Sequence, residues 1–308
     1  MTYATLGALL ADYVIKRGLV GDPQGYMKSL WKDIEAQLDK FIQHLKDQEL
    51  DEAYSVNCKN TAWQRPGQPT NITYVVTNMG DRIICRLMTK ALYFLNGWSI
   101  GSGTDMEDAT GGNRQLRNFI RCTIVHMFMH LLNESACAST WGTFYAWYSM
   151  RQMGDVSSSS TNLVYSGDCV QNSAVHLQVG EWSMQHAVKE WLNRNVDIKL
   201  KLNRGSFGKN CRLAVPKTTG SKHAATDQVD EDTLQKIKDI EGNLQTAMRK
   251  VLRKIKKEVK EEAIAAGDIS AESSAAPESD DDDDEQQEAN GKNSTGAAFY
   301  SYGQYHYA

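Results

Sequence analysis

Apolar residues recur at three- and four-residue steps through most of the chain, the spacing that gathers side chains on one face of an α-helix. The clearest run is Tyr26, Met27, Leu30, Trp31, Ile34, Leu38, Phe41, Ile42 and Leu45, with Lys32, Asp33, Glu35 and Asp39 between them. It predicts an amphipathic helix. A weaker run, Leu6, Leu9, Leu10, Tyr13 and Val14, precedes it, and Gly18, Gly21, Asp22 and Pro23 separate the two as a turn, so a helical hairpin is expected. Polar turn formers from Asn57 to Asn71 interrupt the pattern and predict a loop over 57–76. The stripe Ile83, Ile84, Leu87, Met88, Ala91, Leu92 and Leu95 then predicts a central helix from Met79 to Trp98. A glycine-rich loop follows over 99–112. Asn113 caps a further buried helix carrying Leu116, Phe119, Ile120, Ile124, Phe128 and Leu131. Trp141, Phe144, Tyr145 and Tyr148 mark a shorter helix ending near Gly154, and Trp182, His186, Trp191 and Leu192 a last core helix.

The expected architecture is all-α: a helical domain over 1–216, a polar linker over 217–229, a basic amphipathic helix over 230–266 and a disordered acidic tail over 267–308. In the basic helix Leu234, Ile237, Leu244, Met248, Val251 and Ile255 resemble a heptad seam, but Glu241 occupies a core position and Gly242 weakens the middle. A helix docked on the body is therefore expected over a free coiled coil.

Composition sharpens this. Five prolines in 308 residues suit a helical chain. The net charge of −4 conceals an asymmetry: residues 278–288 hold eight acids and no base, and taking those eight from −4 leaves +4 on the rest. No apolar window is long enough to span a membrane, and Asp12, Lys16 and Arg17 interrupt any secretory signal at the start. Six cysteines, Cys58, Cys85, Cys122, Cys137, Cys169 and Cys211, stand far apart with no CxxC pair, which argues against structural zinc. Three disulfides are preferred over six buried thiols. Reflecting the two central helices about their connecting loop sets Cys85 near Cys122, so a bridge between these two is predicted.

Residue chemistry for catalysis is thin. His126 and His130 share a helix face at metal-pair spacing, yet no third ligand and no general base accompany them, and hydrogen-bonded core histidines are expected instead. Glu107 and Asp108 read as a solvated turn. The stretch from Gly205 to Asn210 lacks the spacing of a phosphate-binding loop. The seven tryptophans read as core anchors, and the glycosylation triplets at Asn71, Asn133 and Asn293 prove nothing alone. The cluster Arg249, Lys250, Arg253, Lys254, Lys256, Lys257 and Lys260 reads as an exposed helix face, with nucleic acid an improbable partner. No enzyme activity, cofactor or metal is expected.

The order Leu30-Trp31-Lys32-Asp33-Ile34, a lone Cys58 near Trp63, Ile84-Cys85-Arg86-Leu87, Tyr93-Phe94-Leu95-Asn96-Gly97, Arg121-Cys122 and a late Trp182 to Trp191 segment resembles the extracellular alpha domain of the schizont-infected cell agglutination antigens. These are variant surface antigens of malaria parasites, and the resemblance covers roughly residues 20–200. It implies a non-catalytic protein exported to the surface of infected erythrocytes, where it binds a host-cell ligand, meets antibody and varies in sequence. It also implies paired cysteines despite the absence of an ordinary signal, and it makes the loops 57–76 and 99–112 the variable faces. The chain departs from the family in having no downstream membrane span, no further Cys-rich domains and an acidic end, so a truncated, soluble or divergent member is expected. The second reading is an intracellular helical interaction protein whose basic helix 234–262 binds an acidic partner or nucleic acid, and which keeps its thiols free.

Overall fold

A computed structural model describes residues 3–46, 56–59, 62–64, 73–75, 78–96, 98–99, 103–104, 114–157, 169, 178–179, 182–183, 190, 194, 210–213 and 231–265. The predicted last core helix falls largely outside them. Its Trp182 stands in a strand rather than a helix, and the acidic tail lies outside the described residues.

Helices α1 (Tyr3–Lys16) and α2 (Pro23–Lys46) form the predicted hairpin. Gly18 and Gly21 adopt φ of 66° and 82°, a region that side chains with a Cβ rarely enter. Gly18 closes α1 in a Schellman turn, with the Leu19 amide donating to Val14 O at 2.9 Å and the Gly18 amide to Ile15 O at 3.1 Å. Asp22 then caps α2, its Oδ1 accepting from the Gly25 amide at 2.9 Å, ahead of a proline suited to the first helical position.

Helix α3 (Met79–Leu95) is the central helix of the bundle, buried from its first residue to its last. Around it pack α2, α4 (Arg114–Asn133), α5 (Thr140–Ser157) and α6 (Glu231–Ala265), while α1 rests on α4. Phe41 of α2 joins the layers, its ring 4.9 Å from Phe94 of α3 and 5.2 Å from Phe128 of α4. Asn78 caps α3 by accepting from the Asp81 amide at 2.9 Å, and Asp81 places a negative charge in the first turn, where the helix dipole favours it.

The approach of α5 to α3 depends on one residue. A Cβ built on Gly142 would lie 2.3 Å from the Asp81 carbonyl oxygen. Ser139 sets the same junction, its Oγ donating to Asp81 Oδ1 at 2.7 Å while accepting from the Gly142 amide at 2.8 Å.

Among the described residues, three short antiparallel ladders interrupt the helical pattern: β1 (Ala62–Gln64) with β2 (Thr73–Val75), β3 (Trp98–Ser99) with β4 (Gly103–Thr104), and β5 (Gln178–Val179) with β6 (Trp182–Ser183). The first lies in the predicted loop 57–76; the second begins at Trp98, expected as the end of the central helix, which instead stops at Leu95. Strands of two or three residues are too short to show an alternating pattern in sequence. The mostly helical, disulfide-linked class is as expected.

Candidate functional site

A helix buried on every side cannot keep an all-polar stripe in water, and α3 instead brings Asp81, Arg82, Arg86 and Lys90 into the interior. Arg86 Nε donates to Glu241 of α6, and both side chains are buried. This explains the acid in the apolar seam of the basic helix: Glu241 neutralises a charge carried by the central helix. Lys90 Nζ donates to Leu45 O at 3.1 Å and Gln245 of α6 donates to the same carbonyl, so the C-terminal end of α2 receives a cation and an amide. The Lys90 carbonyl accepts from His44 Nε2 at 2.9 Å. Burial pushes the Arg82 guanidinium down to about 10, with Asp81 opposing the shift and Arg86 adding to it, so the group stays charged at neutral pH.

Six cysteines make three disulfides: Cys58–Cys85, Cys122–Cys169 and Cys137–Cys211. The predicted Cys85–Cys122 bridge is corrected. Reflection about a loop fixes how far along two helices a pair of residues lies but not which way each faces, and α3 has neighbours on every side. Cys85 meets Cys58 in the 3₁₀ turn Val56–Lys59, while Cys122 of α4 meets Cys169. Cys137 follows α4 and holds Cys211, whose neighbour Leu213 accepts from the Met79 amide at 3.0 Å. The bridge thereby seats residues 210–213 against the start of α3.

The histidine reading gains neighbours but loses its chemistry. Ligand atoms of Cys122, His126 and Cys169 lie within 4.8 Å of one another, a grouping that sequence spacing cannot reveal. Both sulfurs belong to one disulfide and offer no thiolate. His126 is buried with its ring centroid 5.7 Å from that of Trp147. Glu107, Asp108 and all of the Gly205 to Asn210 stretch except Asn210 lie outside the described residues. Among the tryptophans, Trp31 and Trp63 are core anchors, and Trp63 stacks on Tyr145 at 4.4 Å with planes 2° apart. Trp63 does so from a strand, not a helix.

The seven basic residues of the cluster from Arg249 to Lys260 on α6 divide into two sets. Lys256 Nζ reaches Asp39 Oδ1 at 3.0 Å and Lys260 Nζ reaches Glu35 Oε1 at 3.1 Å, both on α2, while Arg249 donates to Thr246. Lys250, Arg253, Lys254 and Lys257 are exposed at helical spacing, forming an outward cationic stripe. Among the described residues no helix is long and apolar enough to cross a membrane. Comparison with family models, with curated proteins and with solved structures yields no match.

Proposed function

We propose that the chain is a display domain of the schizont-infected cell agglutination type, exported to the surface of infected erythrocytes, where it binds a host-cell ligand and meets antibody without catalysing a reaction. The observation that supports this reading most is the placement of the disulfides. Each ties a helix, or the turn after one, to a segment outside the long helices: Cys85 to a 3₁₀ turn, Cys122 to the stretch after α5, Cys137 to the short segment at 210–213. Such bridges persist in oxidising surroundings and let connecting segments change sequence while the helical core stays fixed. The residue order from Leu30 to Cys122 supports the family assignment. Replacing residues 65–72 and 105–112 with Gly and Ser, which keeps Cys58, the buried Trp63 and the first two ladders, is expected to abolish adhesion to erythrocytes or endothelium, and unchanged adhesion overturns the reading.

A second reading rests on the outward stripe Lys250, Arg253, Lys254 and Lys257, which suits an acidic protein partner. It expects binding that weakens steeply with added salt and strengthens when residues 278–288 are deleted.

A further inference from the structure

The three bridges are not equally open to attack. Five of the six cysteines are at most 3% exposed, whereas Cys169 is only partly buried. Thiol–disulfide exchange requires a thiolate to reach a sulfur, so the Cys122–Cys169 bond is the one that an external dithiol opens first, by attack at Cys169. The attacking sulfur joins Cys169 in a mixed disulfide and Cys122 leaves. The second thiol of the reductant then closes on the first, releasing Cys169 and carrying the disulfide away, so that two electrons and two protons pass to the protein.

The two thiols so formed have a third donor beside them. Cys122 and His126 stand one helical turn apart on α4, which puts both side chains on one face. The ligand atoms of Cys122, His126 and Cys169 lie within 4.8 Å of one another. Two sulfurs on one tetrahedral zinc ion stand roughly 3.8 Å apart, against about 2.0 Å in a disulfide, so the opened pair has only to part by about 1.8 Å. The Trp147 ring, 5.7 Å from that of His126, adds apolar surface beside the donors. His126 already has a partner within the fold. A ligating imidazole uses one nitrogen and engages a neighbour through the other, so such a contact does not by itself compete with a metal.

We propose that the chain, once this bridge is reduced, holds one Zn²⁺ at Cys122, His126 and Cys169, and that closing the bridge expels it. Two soft thiolates and an imidazole are a donor set that zinc selects, and three protein ligands leave a fourth position open. Zinc takes the place of the two thiol protons, which pass to solvent. His130, which sequence spacing pairs with His126, is not part of the cluster. The site goes beyond the display reading and does not rest on it: it exists wherever these two thiols are reduced and vanishes wherever they are paired.

The test treats the full, oxidised chain with graded dithiothreitol and maps the first two alkylated cysteines by peptide mass. Unalkylated chain opened to the same stage, freed of reductant without air, is titrated with Zn²⁺ against a chromogenic chelator and with Co²⁺ by absorbance. The first labels are expected on Cys122 and Cys169, and the opened chain is expected to bind one zinc ion where the oxidised chain binds none. Co²⁺ should show thiolate charge transfer and the visible bands of a four-coordinate site. His126→Gln and Cys169→Ser each lower zinc affinity by more than about a hundredfold, beyond what losing an outer contact costs, while His130→Gln leaves it unchanged. Helicity by circular dichroism is compared across the variants because His126 is buried, and the Co²⁺ spectrum of the unaltered chain reads the ligand set without any substitution. First labels on another pair, no stoichiometric zinc after reduction, a Co²⁺ spectrum without thiolate charge transfer, or affinity indifferent to His126→Gln at unchanged helicity overturns the proposal.

Discussion

Two glycines show how one residue type carries opposite consequences. Gly142→Ala drives a methyl group into the Asp81 carbonyl and is expected to cost about 1–3 kcal/mol in urea unfolding, since backbone cannot move aside as a side chain can. Gly242 in α6 has nothing within 4 Å of its would-be Cβ, and Gly242→Ala is expected to stabilise by about 0.5–1 kcal/mol through helix propensity alone. Glu241→Ala leaves Arg86 charged and buried and is expected to cost about 3–5 kcal/mol, whereas the double variant Arg86→Met with Glu241→Leu recovers most of that loss. Equal destabilisation of the single and double variants would show that the ion pair does not act as a unit. Tyr13, Tyr26, Tyr93 and Tyr145 are all raised by burial above the ordinary value of 10.0. A raised folded-state value means the folded chain binds more protons than the unfolded one above that pH. Stability is therefore fully present below pH 10.0 and falls as pH rises through and beyond it. Tyrosinate absorbance and loss of helical circular dichroism should rise together, and full ionisation with helicity intact would contradict it.

At the level of elements, the periodicity of α2 through α5 was readable because each buries a stripe wide enough to dominate its own sequence. Helix α6 was readable as a helix, and its docking was foreshadowed by an imperfect heptad: Ile240 and Leu252 are buried beside the seam residues, making a stripe broader than a coiled-coil seam. What the sequence hid was the reason for Glu241, because Arg86 lies 155 positions away. The disulfide partners were hidden for the same cause, being settled by contacts between distant segments, whereas the ladders were hidden because strands of two or three residues carry no alternating pattern. The chain-closure account assigns about 3.5 kcal/mol to a bridge spanning 27 residues. Replacing Cys58 and Cys85 with Ala should lower stability by about 2–5 kcal/mol, and a change under 1 kcal/mol would show that the turn at 56–59 is held by packing alone.

For the molecule as a whole, the oxidation state decides between display and an intracellular role. Intact mass after alkylation without reductant is expected to show no uptake, and six labels would favour the intracellular reading. The three bridges differ in their topology. Cys122–Cys169 and Cys137–Cys211 overlap along the chain, each having one end inside the span of the other, whereas Cys58–Cys85 stands apart. A single proteolytic cut anywhere between residues 122 and 211, or between 58 and 85, therefore leaves every piece covalently attached. Only a cut in the interval between 85 and 122, before 58 or after 211 can shed a fragment. A protease that nicks an exposed segment in either bridged span would mark the molecule without dismantling it.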